Sequence, residues 1–267
     1  MAIETERKGR IFVIRINRPD ALNALDVESM RTFNERLREF RDDPDLLVAV
    51  ITANGERAFC TGADLKKTLP PETSFVEAYF HPYERSVDEG LYVRAITISD
   101  LRINKPLIAA VNGHALGGGA EIALDCDLRI ASENATFGLP EPRWASVPAV
   151  GGVSKLLRAV PRAVAMQMIL TGDRIDATEA HRVGLVSEVV SADRLLDRAL
   201  ELANRIAANG PLAIKSLKTL AARTDDLSLT KSVELEQLLW GLLRDTEDRV
   251  EGRIAFAERR APEYRGR

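Results

Sequence analysis

Residues 106–131 read Pro-Leu-Ile-Ala-Ala-Val-Asn-Gly-His-Ala-Leu-Gly-Gly-Gly-Ala-Glu-Ile-Ala-Leu-Asp-Cys-Asp-Leu-Arg-Ile-Ala. The run 107–111 is short, apolar and introduced by Pro106, which predicts a buried strand ended by the glycines that follow. A helix then opens on Gly117, Gly118 and Gly119. Each glycine weakens a helix by roughly 1 kcal/mol relative to alanine, so three together imply that something approaches the backbone closely. Bare amides at a helix start, backed by the positive end of the dipole, stabilise negative charge. Glu121 follows one turn in, near enough to act on whatever those amides hold. Taken alone, the stretch reads more simply as tight helix packing with a first-turn carboxylate, since its spacing fits neither the dinucleotide fingerprint nor the phosphate loop.

Upstream, the β-branched run 10–17 is bounded by Gly9 and Pro19 and predicts a strand. Asp26 is placed to cap a helix over 27–41 that carries Met30, Phe33, Leu37 and Phe40 on one face. Residues 46–52 predict the next strand, giving a strand-helix-strand order typical of a sheet covered by helices. The turn-rich stretch 54–65 leaves small residues at Thr61, Gly62 and Ala63, which suits a ligand gripped by main-chain groups. Residues 70–82 hold Phe75, Tyr79, Phe80 and His81 without a regular apolar period and read as a loop folded over the core. A helix over 84–101 then leads to the central strand.

Downstream, strands are expected at 128–131 and 135–139. Glu141 stands between Pro140 and Pro142, so its backbone is restrained; the expectation is a rigid loop, outside any helix or central strand. From Ser154 onward the chain reads as mainly helical, with one strand at 185–190. Near the end, Leu235, Leu238, Leu239, Leu242 and Leu243 form an apolar stripe with Trp240 and Ile254 nearby. Periodicity alone leaves open whether that stripe faces its own core or another chain.

At 267 residues the chain can bury a substantial core. Its 45% apolar and 29% charged residues are ordinary for a globular protein, and a net charge of −3 gives no general basic field for nucleic acid or an anionic membrane. Cys60 and Cys126 have no metal-ligand spacing, which points to buried thiols in a reducing compartment. No run approaches the roughly 20 apolar residues of a membrane span, and the first residues lack an apolar core, so a cytoplasmic location is expected.

Three blocks in order identify the chain as resembling the enoyl-CoA hydratase/isomerase, or crotonase, family: Ala58-Phe59-Cys60-Thr61-Gly62-Ala63-Asp64-Leu65, then 110–121 with its Gly117-Gly118-Gly119-Ala120-Glu121, then Phe137-Gly138-Leu139-Pro140-Glu141. Asn17-Arg18-Pro19, Ala21-Leu22-Asn23-Ala24-Leu25, Leu170-Thr171-Gly172, Gly184-Leu185-Val186 and Glu251-Gly252-Arg253-Ile254-Ala255-Phe256 add to it. The resemblance implies an α/β fold: a spiral of ββα repeats forming an acyl-CoA-binding core over 1–195, and a helical region over 196–267 that builds homotrimers or dimers of trimers. It implies an oxyanion hole from the amides of Ala63 and Gly118, with Asp64, Leu65 and Gly117 also contributing to substrate binding; Trp144 is a further substrate-binding candidate, from its place three residues beyond Glu141. It assigns Glu121 to activating water and Glu141 to protonating C2 in the hydration of a 2-enoyl-CoA.

Backbone amides polarise a thioester carbonyl without titrating, and two carboxyl groups can divide base and acid work if their environments separate their protonation states. Coenzyme A then belongs to the substrate, and neither a metal nor a nicotinamide is expected. Other family chemistries, carnitinyl-CoA dehydratase-like or enoyl-CoA isomerase, are the alternatives. A scaffold that only binds would have no need of two carboxylates beside an oxyanion hole. Pro142 and Trp144 depart from the family pattern, which opens a choice for Trp144 between lining the acyl pocket and packing in the core. Asp64 is read either as positioning the CoA-binding loop or as a helix cap. Asp125, Asp127, His114 and Cys126 are read as structural.

Overall fold

Strand residues that alternate in sequence divide between two cores. The computed structural model describes residues 1–68, 74–88 and 90–267. Its strands are β1 (Ile3–Lys8), β2 (Ile11–Ile16), β3 (Val48–Ala53), β4 (Ala58–Cys60), β5 (Leu107–Val111), β6 (His114–Leu116), β7 (Leu128–Ser132), β8 (Thr136–Gly138), β9 (Arg174–Asp176) and β10 (Glu188–Val190). They form a six-stranded sheet in the order β1-β2-β3-β5-β7-β10 and a four-stranded sheet in the order β4-β6-β8-β9. The larger sheet is parallel from β2 to β10, with β1 added antiparallel at the edge.

The helices are α1 (Val27–Asp42), α2 (Phe75–Phe80), α3 (Tyr83–Asp88), α4 (Val93–Ile96), α5 (Gly118–Asp125), α6 (Gly152–Ala159), α7 (Arg162–Thr171), α8 (Ala177–Arg182), α9 (Leu195–Ala207), α10 (Pro211–Thr224), α11 (Leu229–Arg244) and α12 (Glu247–Glu258). Phe12, Ile14 and Ile16 of β2 pack with Met30, Phe33, Leu37 and Phe40 of α1, whereas Ile11 and Val13 pack with Leu195, Ala199 and Ala203 of α9. Period-2 side chains thus send one sheet into two helical layers, as expected for a parallel sheet covered on both faces. Asp26 caps α1 by accepting from the Ser29 amide at 3.0 Å.

Several local expectations change. The helix expected over 84–101 is broken: α3 ends before Gly90, which has a φ of +107° that a helix cannot hold, and after α4 Thr97 is extended. Of the loop expected over 70–82, residues 70–73 lie outside the described residues. Ser74 opens α2 with a capping box closed by Glu77. The aromatics of α2 are not folded over the core, because its inward position is the small Ala78. Phe75, Tyr79 and Phe80 are exposed and pack on one another, with ring centroids 5.7 and 5.4 Å apart.

α11 packs on α10. Its leucine stripe is divided: Leu235, Leu239 and Leu243 are half-buried, while Leu238 and Leu242 are exposed along with Trp240. Among the described residues no helix is long and apolar enough to cross a membrane.

Candidate active site

The site lies where the start of α5 meets the turn after β4. A Cβ on Gly119 would fall 1.9 Å from the Cys60 carbonyl oxygen, so the first turn of α5 can reach β4 only through glycine. Gly62 holds a φ of +88°, and a Cβ there would lie 2.9 Å from the Gly118 nitrogen. The two backbones therefore touch. Around Ala63 the chain forms an isolated parallel bridge with Leu25: the Leu25 amide donates to Gly62 O and the Asp64 amide to Leu25 O, each at 2.8 Å. Because neighbours in an extended chain direct their polar groups to opposite sides, the Ala63 N–H points away from Leu25. The Gly118 N–H, at the first position of α5, has no intrahelical acceptor. Both residues line the same cavity, which has a volume of about 190 Å3.

A polar scaffold holds the Ala63 turn. Arg18 Nη2 pairs with Asp64 at 3.2 Å and Asp26 at 3.1 Å, and its Nη1 donates to Ala24 O. Buried Asn23, in the left-handed region at φ 56°, donates to Asn54 O at 3.0 Å and Ala58 O at 2.7 Å. Asp64 is thus tied to Arg18 and to the Lys66 amide, and it does not line the cavity. The residue motifs that include Arg18 and Asn23 are visible in the sequence, but their role as struts is not.

Glu121 is 3% exposed at the cavity floor, and its Oε1 accepts from the Val150 amide at 2.7 Å and the Gly152 amide at 2.8 Å. Burial raises its proton affinity; the Gly152 and Val150 amides and Lys155 pull it back, and Asp125 pushes it up again. Glu141 opens a 3-10 turn, Glu141–Trp144, which corrects the expectation that its prolines exclude a helix. Proline pre-sets the φ that a first helical turn needs. Burial, opposed by a bond from its own amide and assisted by the charge of Glu121, lifts the Glu141 carboxyl to about 7. Its Oε2 is buried and, among the described residues, without a hydrogen-bond partner. Two carboxyl groups with different hydrogen bonding thus face one cavity beside two outward amides, an arrangement that can stabilise an oxyanion while one carboxylate accepts a proton and the other donates one.

Leu65, Gly117 and Trp144 also line the cavity. Trp144 is 68% exposed, which rules out the core-packing alternative. His114 instead bonds Thr136 Oγ1 through Nδ1 at 2.8 Å, and Asp127 accepts from the Leu107 amide and from Lys218, each at 2.7 Å. Cys60 and Cys126 are buried free thiols. The amides of Val150 and Gly152, which hold Glu121, escaped the reading of the sequence. The Gly151-Gly152 pair opening α6 was the available signal.

A model of the enoyl-CoA hydratase/isomerase family matches residues 6–267. The chain is 46% identical to an (E)-benzylidenesuccinyl-CoA hydratase from Thauera aromatica over the whole of both chains. It is 41% identical to a carnitinyl-CoA dehydratase from Proteus mirabilis over 97% of each. Its structure superposes on the crystal structure of an enoyl-CoA hydratase from Bacillus anthracis with a TM-score of 0.89 and 33% identity, covering all of both chains. The chain belongs to the enoyl-CoA hydratase/isomerase family and has the crotonase fold. It is an enzyme that acts on acyl-CoA thioesters.

Proposed function

We propose that the enzyme adds water across the 2,3 double bond of a 2-enoyl-CoA. The observation that carries this reading is the pair Glu121 and Glu141 lining one cavity with the amides of Ala63 and Gly118. The two amides hold the thioester oxygen and stabilise the enolate as it forms; losing one such donor costs other enzymes roughly 2.7–4 kcal/mol. Glu121, fixed through Oε1, uses its other oxygen to take a proton from water, which adds to C3. Glu141, lifted toward neutrality, delivers a proton to C2. Hydration changes no oxidation state, so the reaction is assigned no metal or nicotinamide, and dialysis against a chelator leaves activity unchanged. The hydratase and dehydratase names of the relatives support water addition or removal as the reaction type.

The rim formed by Leu65, Trp144 and Val147 is apolar, in keeping with substrate binding at the cavity mouth. The exposed leucines and Trp240 of α11 support assembly into a trimer or a dimer of trimers. The test is a series of trans-2-enoyl-CoAs of increasing chain length, followed by loss of enoyl absorbance. Hydration of one or more of them is the expected result, and failure with all of them, alongside turnover in an isomerase assay, sinks the reading.

A further inference from the structure

Glu121 is held by a loop, and that loop is held by an ion pair whose carboxylate is buried. Asp125 lies one helical turn beyond Glu121 on α5, its side chain only 5% exposed. Its Oδ1 accepts from Ser99 Oγ at 2.8 Å and pairs with Lys155 Nζ. Its Oδ2 is buried and, among the described residues, has no hydrogen-bond partner. Lys155, on α6, also donates to Ser99 Oγ at 2.8 Å and to the carbonyl of Val150 at 3.3 Å. Val150 is one of the two residues whose amides fix Glu121 Oε1. Lys155 therefore grips the carbonyl of the residue whose amide grips the glutamate.

The loop is shaped for this. Gly151 has a φ of +95°, and a Cβ there would lie 2.9 Å from Lys155 Cε, so glycine alone lets the lysine fold back over the loop. A Cβ on Gly152 would lie 3.0 Å from Glu121 Oε1. Burying a carboxylate with one oxygen unsatisfied is a poor stabilising device, since the cost of desolvating the charge offsets much of its attraction to the lysine.

We propose that Lys155 and Asp125 are positioning residues, clamping the Val150–Gly152 turn against Glu121 and setting the balance of charge around it; this rests on the reading of Glu121 as the group that activates water. Three titratable groups face Glu121: Lys155 from α6, Asp125 from α5 and Glu141 from the 3-10 turn. Lys155 favours the ionised carboxylate and Asp125 opposes it. Lys218 of α10 adds a weaker positive influence on Asp125.

Removing either partner therefore moves the site in opposite directions. The experiment measures kcat, KM and the pH profile of kcat/KM for the full chain carrying Lys155→Met, Lys155→Arg or Asp125→Asn, with melting temperatures alongside. In Lys155→Met the acid limb moves to higher pH, and kcat falls on the order of 10- to 100-fold, the scale of a misplaced reacting group, with KM little changed. In Asp125→Asn the acid limb moves to lower pH, and in Lys155→Arg it stays in place. If Lys155→Met fails to fold, the other two variants still decide the matter. Limbs that coincide in every folded variant, or losses that follow melting temperature alone, overturn the proposal. Near-native turnover by Glu121→Gln would instead remove the underlying reading of Glu121, whereas an inactive Glu121→Gln with unmoved limbs in the other variants sinks the clamp alone.

Discussion

A Cβ placed on Gly117 would lie 3.0 Å from Oε1 of Glu141. The backbone that opens α5 and the carboxyl carried by the 3-10 turn are therefore in contact, across 24 residues of sequence, and neither has room for a side chain between them. The three glycines of this start meet three different neighbours. Gly117 faces Glu141, Gly119 faces the Cys60 carbonyl, and a Cβ on Gly118 would meet the Gly62 Cα at 3.4 Å, the Ile96 methyl at 3.5 Å and the Ala63 nitrogen at 4.0 Å.

Alanine scanning of these glycines separates the roles. Gly119→Ala forces backbone against backbone and loses more than about 4 kcal/mol of stability or fails to fold, the range reserved for severe core disruption. Gly118→Ala makes ordinary contacts and keeps its melting temperature near that of the native protein. Equal stability of the two variants in denaturant unfolding would contradict the packing described for α5.

Glu121→Gln and Glu141→Gln each lower turnover of a good enoyl-CoA by 10²–10⁴-fold, the usual contribution of general acid–base groups, while thioester binding persists. Single-turnover kinetics with calorimetric binding checks this. Near-native turnover in either variant removes that residue from the two-carboxyl scheme.

The protonation of Glu141 makes both rate and stability depend on pH. Unfolded, the carboxyl releases its proton near its ordinary value of 4.5; folded, burial holds it to about 7. The folded state binds this proton more tightly, so the group's favourable contribution is fullest below 4.5 and is lost as pH rises through 7. Glu141→Gln abolishes the titration. Its stability relative to the native protein rises from pH 5 to pH 8 by on the order of 1 kcal/mol, reduced from the full linkage value because the residue is partly open to solvent. Turnover by the native enzyme falls above neutrality as the proton destined for C2 is lost. Melting curves of both proteins that keep a constant offset across this range would refute the assignment.

Trp144→Ala leaves stability within about 0.5 kcal/mol, because the indole is exposed. The variant raises kcat/KM for longer or bulkier enoyl-CoAs relative to crotonyl-CoA, with each accommodated methylene worth about 1–3 kcal/mol. An unchanged ratio across the chain-length series would mean that the indole at the cavity mouth does not limit the acyl group.

Light scattering on the full chain is expected to give a trimer or a dimer of trimers, and Leu238→Lys with Leu242→Lys to dissociate it, because both leucines are exposed on α11. A monomeric native protein at micromolar concentration rules the assembly out.

Where burial follows a local pattern, the chain alone was enough. The apolar run of β5, the Asp26 cap and amphipathic face of α1, and the ordered motifs ending in Glu121 and Glu141 all follow from local pattern or resemblance. Local pattern was blind to β1, where only Ile3 is buried among charged neighbours, and to the short strands β4, β6 and β9, each three residues long. It also carried a helix through 84–101, where Gly90 and Thr97 interrupt it. The sequence determined that something must come close to Gly117, Gly118 and Gly119, because glycine is costly in a helix. Only the tertiary structure decided what comes close, since Cys60, Glu141 and Gly62 lie on other segments and reach α5 through sheet pairing and loop docking. The same holds for Glu121: its residue type is local and so is the opposing charge of Asp125, but its burial is tertiary, and the Val150 and Gly152 amides and Lys155 reach it from a segment about 30 residues further along the chain.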